Sequence, residues 1–172
     1  LVNLVDRNYG AEVLKKAAPH QTRVVFFNRN PGVVTVNSYP QAFYVGSDPM
    51  AGGRLQGQMI LDYIKAHPEC DRNHDGVINT IIFKGEIYHS DSDQRIQNAI
   101  SVLRAGDIEL KQMAVLRANW SESLATEQLT ELLVKVKLED VELIFSNNDA
   151  MALGALHVLN LNGYNQGKAD GK

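Results

Sequence analysis

Hydrophobic positions along this chain follow two alternating rhythms. Short, nearly continuous apolar runs read as strands, and longer stretches between them repeat every three or four residues. The chain opens on Leu1–Asp6, the end of a strand, followed by a helix over Gly10–Ala18 with Val13 and Leu14 on its apolar side. Arg23–Asn28 is almost wholly apolar, the pattern expected of a strand covered on both faces in a parallel sheet. Residues 29–41, with Asn, Pro and Gly, form a connecting loop, and Ala42–Val45 is a further short strand. From Met50 to about Ala66 helix formers return, with Leu55, Met59 and Tyr63 at i, i+4, i+8, and Ile60 and Ile64 widening the same stripe.

The cycle then repeats. Strand 77–83 precedes a helix near 92–104 marked by Ile96, Ala99, Ile100 and Leu103. A strand near Leu110–Leu116 precedes a helix near 121–137 with Leu129, Leu132, Leu133 and Val136, and strand Leu143–Phe145 precedes a helix from about Asn148 to Leu159. Strands alternating with helices imply βαβ units, an α/β class protein and parallel sheets. Gly46-Ser47-Asp48 divides the series, so the expected organisation is two Rossmann-like lobes, 1–47 and 48–172, with a hinge near 46–48. Both lobes read as incomplete. The first has fewer than 50 residues, and the tail Asn160–Lys172 lacks the strand that a further βαβ step requires.

Before strand 77–83, oxygen-bearing side chains alternate at Asp71, Asn73, Asp75 and Asn79, with Gly76 before a backbone position at Val77. That is the spacing of a calcium loop, in which a hard cation gathers 6–8 oxygens and a glycine permits the sharp turn. The bidentate Glu of a helix–loop–helix calcium site is replaced by Ile82, so the remaining carboxylate has to come from elsewhere. The competing reading is a polar turn held by Asx hydrogen bonds.

Charge narrows the partners. A net charge of −3 and a pI near 5.9, with scattered Lys and Arg, provide no basic field for nucleic acid. No run of 18 apolar residues spans a membrane, and the single Cys70 rules out an internal disulfide. The N-terminus shows no charged-then-apolar leader, so the expectation is a removed signal peptide or a cytoplasmic protein.

Candidate chemistry gathers at strand ends: Asn28, then His89, Asp91 and Arg95, then Trp120 and Asn148. In open α/β sheets ligands sit outside the carboxyl ends of strands. Planar polar groups with an aromatic plate suit the hydroxyls and C–H faces of a hexose. No phosphate-binding glycine loop is present.

These residues, in the segments N3-L-V-D6, V24-V-F-F-N28, Y44-V-G-S-D48, D71–N79, K84-G-E86, H89-S-D-S-D-Q-R95, N119-W120 and E142–G154, make the chain resemble the periplasmic galactose/glucose-binding proteins of bacterial ABC sugar uptake and chemotaxis. The resemblance implies a periplasmic binding protein type I fold. It assigns sugar contacts to Asn28, His89, Asp91, Arg95 and Asn148 and stacking to Trp120. It also completes the calcium set of Asp71, Asn73, Asp75, Val77 and Asn79 with Glu142. The implied partners are a hexose, the membrane component of an ABC transporter and a chemoreceptor, and the implied location is periplasmic or extracytoplasmic.

The sequence departs from the family at Ser90, where a proline is common. The family chain also extends on both sides of this one, which therefore resembles its middle. Taken one at a time, the residues have plainer roles: Asp91 or Asn148 as a helix cap, Asp91 with Arg95 as an i, i+4 pair, His89 as a loop residue, Trp120 as core. The expected activity is solute binding, not catalysis. Two alternatives are the sugar-sensing core of a transcriptional regulator and a sugar-modifying enzyme using His89 and Asp91.

Overall fold

The computed structural model describes residues 1–165 and Gly167. Two separate parallel sheets organise the chain. In the first, β1 (Val24–Phe27) pairs with β2 (Ala42–Val45), Val24 opposite Ala42. The strand expected at Leu1–Asp6 is reduced to a single bridge, Val2 beside Phe26. The chain turns away because Asp6 accepts a hydrogen bond from Asn8 N at 2.9 Å, opening a short 3-10 turn that runs into α1 (Gly10–Ala17). Leu14 of α1 closes a small core with Leu4, Val24, Phe26 and Ala42.

Two expectations for this region are corrected. The supposed loop 29–41 contains a short helix, α2 (Val33–Asn37), reached through Gly32, whose φ of +94° is a conformation few side chains tolerate. The apolar run of β1 does not imply cover on both faces, since Phe27, Phe43 and Val45 are 40%, 50% and 65% exposed. The cause is topological: α3 (Pro49–Ala66), which follows β2, packs on the helix after β3 instead of returning over the first sheet.

Helix α3 starts where Asp48 accepts from Met50 N at 2.9 Å and Pro49 takes the first position. Its inner face is Gly53, Gly57, Leu61 and Ile64. At Gly57 an added Cβ would lie 2.7 Å from the Ala99 carbonyl oxygen, so the backbones approach closely. Leu55, Met59 and Tyr63 consequently point outward and are exposed. They lie two residues from Gly53, Gly57 and Leu61, which is about 200° around a helix. The stripe drawn from hydrophobicity alone was displaced because glycines, not large apolar residues, form the contact.

The second sheet has the order β4-β3-β5, all parallel: β3 (Val77–Lys84), β4 (Glu109–Arg117) and β5 (Leu143–Ser146). It is covered on both faces. Ile82 and Phe145 meet Ile96 and Ala99 of α4 (Ser90–Ala105), with Ile60 of α3 alongside. Ile81 and Phe83 meet Ala125 and Leu129 of α5 (Glu122–Leu132) and Met151, Ala155 and Val158 of α6 (Asp149–Leu161). Helix α5 ends five residues before the expected limit. Val134 N and Lys135 N reach back only three residues, to Glu131 O and Leu132 O, so the last turn tightens and unwinds. Leu133 and Val136 still pack on the core from the turn beyond. In the tail, 160–165 and 167 are described and add no strand, and the rest of that expectation, at 166 and 168–172, lies outside the described residues.

Candidate functional site

Parallel strands bring their carboxyl ends to one rim, and the rims of both sheets face a common cavity of about 380 Å3. Its lining is Asn28, His89, Asp91, Arg95, Trp120 and Asn148, together with Ser47. All six strand-end candidates therefore converge, although they come from four segments spread over 121 positions, 28 to 148. Ser47 was read only as part of a hinge, because nothing in a Gly-Ser-Asp turn distinguishes a lining serine.

Each side chain is placed by local backbone chemistry. Asn28 follows β1 with φ +64°, and its carbonyl accepts from Tyr44 Oη at 3.1 Å. Asn119 and Trp120 follow β4 with φ +50° and +66°. A left-handed conformation is unfavourable for a bulky residue and is retained where surrounding structure enforces it. Here the enforcing contact is Gly85, against whose Cα the indole lies so closely that any Cβ would collide with the ring. His89 meets the same indole edge-on, with ring centroids 5.0 Å apart and planes at 69°.

Asn148 does cap α6, accepting from Met151 N at 3.1 Å, while its Nδ2 donates to Trp120 O at 3.2 Å. Its plain role as a cap and its place in the cavity wall coexist. Asp91 is no helix cap. His89 holds the N-cap position of α4, and Asp91 sits in the first turn, 6% exposed, accepting from Ser90 Oγ at 3.1 Å. Arg95 forms no ion pair with Asp91 among the described residues; its Nη1 donates to Asn147 O at 3.0 Å. A buried carboxylate and a guanidinium are thus both left with unused hydrogen-bonding capacity toward the cavity.

Burial, with the nearby Arg29 and Arg95 charges, holds His89 below its ordinary pKa, and Asp91 opposes this. Its Nδ1 is buried without a hydrogen-bond partner among the described residues. Tyr44 and Asp91 line a neighbouring cavity together, and burial with the charge of Asp91 holds the Tyr44 pKa above its ordinary value. Beneath the rim, Asn147 Oδ1 accepts from Ser92 Oγ and from Gly85 N at 3.3 Å, and Arg117 Nη1 donates to Gly85 O at 3.0 Å. These supports were not singled out from sequence; only the polar doublet Asn147-Asn148 at a strand end hinted at the first.

On the opposite rim of the second sheet, the 71–79 loop folds on its own side chains. Asp71 accepts from Asp75 N at 3.2 Å and Gly76 N at 2.9 Å, Asn73 from Asp75 N at 2.9 Å, and Asp75 from Val77 N at 2.9 Å. Glu142 reaches this loop from the start of β5, accepting from Arg72 N and Asn79 N at 2.8 Å each and from Asn73 N at 3.4 Å. Among the described residues, no three acidic, histidine or cysteine side chains already stand together as a metal cluster. The donors nevertheless fit a hard cation, being carboxylates, amides and a carbonyl. Asn79 Oδ1 is buried with no hydrogen-bond partner among the described residues, as an unclaimed ligand oxygen would be.

The same architecture occurs elsewhere. The sequence model of the periplasmic binding protein domain matches residues 1–170. The D-galactose/methyl-galactoside binding periplasmic protein MglB of Haemophilus influenzae is 39% identical over 162 residues, covering 94% of this chain and 49% of that protein. The chain therefore spans about half the length of this curated relative. A periplasmic solute-binding protein of an ABC transporter from Actinobacillus succinogenes, solved with bound D-allose, superposes with a TM-score of 0.73 at 22% identity over 94% of this chain and 53% of the other. A solute-binding protein from Bacillus halodurans with bound myo-inositol gives 0.71 at 20% identity, over 94% and 50%. The two structures share the fold of parallel sheets and helices, and the match along the sequence extends over nearly every residue, so this chain belongs to the periplasmic binding protein domain family.

Proposed function

We propose that this chain is the hexose-binding part of an extracytoplasmic solute-binding protein that serves ABC-type uptake. One observation carries the reading: Asn28, His89, Asp91, Arg95, Trp120 and Asn148 line one cavity whose volume suits a small ligand. Asp91 and Arg95 supply a charged acceptor and a charged donor for hydroxyls, the amides of Asn28 and Asn148 read further hydroxyls, and Trp120 offers an apolar face to ring C–H groups. Identity with a relative named for D-galactose and methyl-galactoside favours galactose among hexoses. Residues 46–48 serve as a hinge between lobes 1–47 and 48–172, because the chain crosses there from one sheet to the other. Delivery to a transporter membrane component, signalling through a chemoreceptor and a periplasmic location follow from the family in the same sense.

The reading is of binding without turnover. The family that matches along the chain is one of binding proteins, which favours that reading over a sugar-modifying enzyme using His89 and Asp91. A regulator core is disfavoured by the acidic balance of the chain. Calcium belongs to the same proposal. Asp71, Asn73, Asp75, the Val77 carbonyl, Asn79 and Glu142 would hold it, where it would tie the loop before β3 to the start of β5.

Trp120, the one tryptophan of these 172 residues, lines the cavity and should report binding. Titration of the polypeptide that carries this chain with D-galactose, D-glucose and D-allose should give saturable changes in its emission, strongest in affinity for galactose. An emission indifferent to all three, with calorimetry equally silent, refutes the proposal.

A further inference from the structure

The two sheets touch beside the cavity as well as around it. Arg29, next to Asn28, directs Nη1 to the Val5 carbonyl within its own part of the chain and Nη2 to the carboxylate of Glu86, on the loop leaving β3. The arginine side chain is 14% exposed and the glutamate 43%, so the pair is shielded mainly from the arginine side. Glu86 is in turn tied toward the site, its carbonyl accepting from His89 N at 3.4 Å. Neither residue lines the cavity.

The asymmetry of this contact is informative. With one nitrogen anchored on Val5, the guanidinium is held by the first sheet whether or not the second is near. Moving the sheets apart would break only the bond to Glu86 and would leave both partners in place to re-form it. A partly shielded, charge-assisted pair contributes more than a fully exposed one. A contact made only in the closed arrangement raises affinity by raising the closed fraction, and it acts chiefly on release.

We propose that Arg29 and Glu86 form a latch that positions the two sheets over an occupied cavity and slows ligand release. This rests on the reading of the cavity as a sugar site, but the latch touches no sugar and so favours no particular one. That separates it from a contact residue: its loss weakens every sugar by the same factor.

The test uses Arg29→Glu, Glu86→Arg and the charge-swapped double variant in the polypeptide that carries this chain. Dissociation rates and Kd for D-galactose and D-glucose are read from Trp120 fluorescence by stopped flow, with thermal midpoints measured alongside. Each single reversal should weaken both sugars by roughly tenfold, equivalent to about 1.4 kcal/mol, through faster release, with the galactose-to-glucose ratio unchanged. The swap should recover most of the loss. If charge reversal at Arg29 costs the fold, Glu86→Gln at the more exposed partner carries the test and should accelerate release of both sugars several-fold. Release at the wild-type rate in the folded single variants overturns the latch, as does a swap no better than they are. If the unmodified protein binds neither sugar, the function proposed above fails instead. Small-angle scattering then decides the latch alone: Glu86→Arg must enlarge the radius of gyration, and an unchanged value refutes it.

Discussion

Replacing Glu142 with Gln isolates a single carboxylate that joins two distant parts of the second sheet. The side chain accepts from Arg72 N and Asn79 N at 2.8 Å each, and the longer contact to Asn73 N is 3.4 Å. Hydrogen bonds to a charged group contribute about 1.5–3 kcal/mol each. Gln is the same shape but keeps only one acceptor oxygen, and its NH2 group faces a backbone N–H where the second oxygen was. Glu142 is half-exposed, so water recovers part of the loss. We therefore expect a net cost of about 2 kcal/mol, at the low end of the range for one such bond. For a chain of this size each kcal/mol moves the melting midpoint by roughly 2–4 °C, which gives a fall of about 4–8 °C. The proposed calcium site adds a second signature. At 100 times its Kd the ion would stabilise the unmodified chain by about 2.7 kcal/mol, and it would stabilise the variant far less. The assay is a thermal melt by circular dichroism, with calcium and with a chelator. An unchanged midpoint in chelator refutes the hydrogen-bond argument, and equal calcium shifts for both proteins refute Glu142 as a ligand.

Asp91→Asn should remove measurable hexose binding while leaving the melting midpoint within about 2 °C, since the lost acceptor charge faces the cavity; calorimetry on the folded variant checks both. Because burial lowers the His89 pKa, the unfolded chain takes up its proton first as pH falls. The associated stability is present above about pH 6.5 and is lost as pH drops through the folded pKa. The urea midpoint should fall as pH drops through that window, with the slope of each melt unchanged, and His89→Gln should flatten the dependence of the midpoint on pH. The exposed faces of Phe27, Phe43 and Val45 on the first sheet and Leu55, Met59 and Tyr63 on α3 should drive self-association of the 172-residue chain. Sedimentation velocity should show it, and Phe43→Ser with Met59→Ser should reduce it.

The order of strands and helices was legible in the sequence because backbone hydrogen bonding and burial impose their periods locally. Ile96, Ala99, Ile100 and Leu103 mark α4 without reference to anything distant. The cavity residues were legible for a related reason: a parallel sheet places every strand's carboxyl end on one rim, so polar residues after apolar runs are already candidates for one place. Which helix face turns inward was not legible for α3, since Gly53 and Gly57 act through the absence of side chains and only the arrival of α4 gives that absence meaning. Nor was the bare face of the first sheet, because the apolar run of β1 is the same whether or not a helix covers it. The pairing of Arg29 with Glu86, and the grip of Glu142 on a loop some 70 residues earlier, depend on distances between segments that no local pattern encodes. Periodicity marked most of the elements, α2 apart, and showed which strand ends are polar; the path of α3 across to the second sheet decided what they meet.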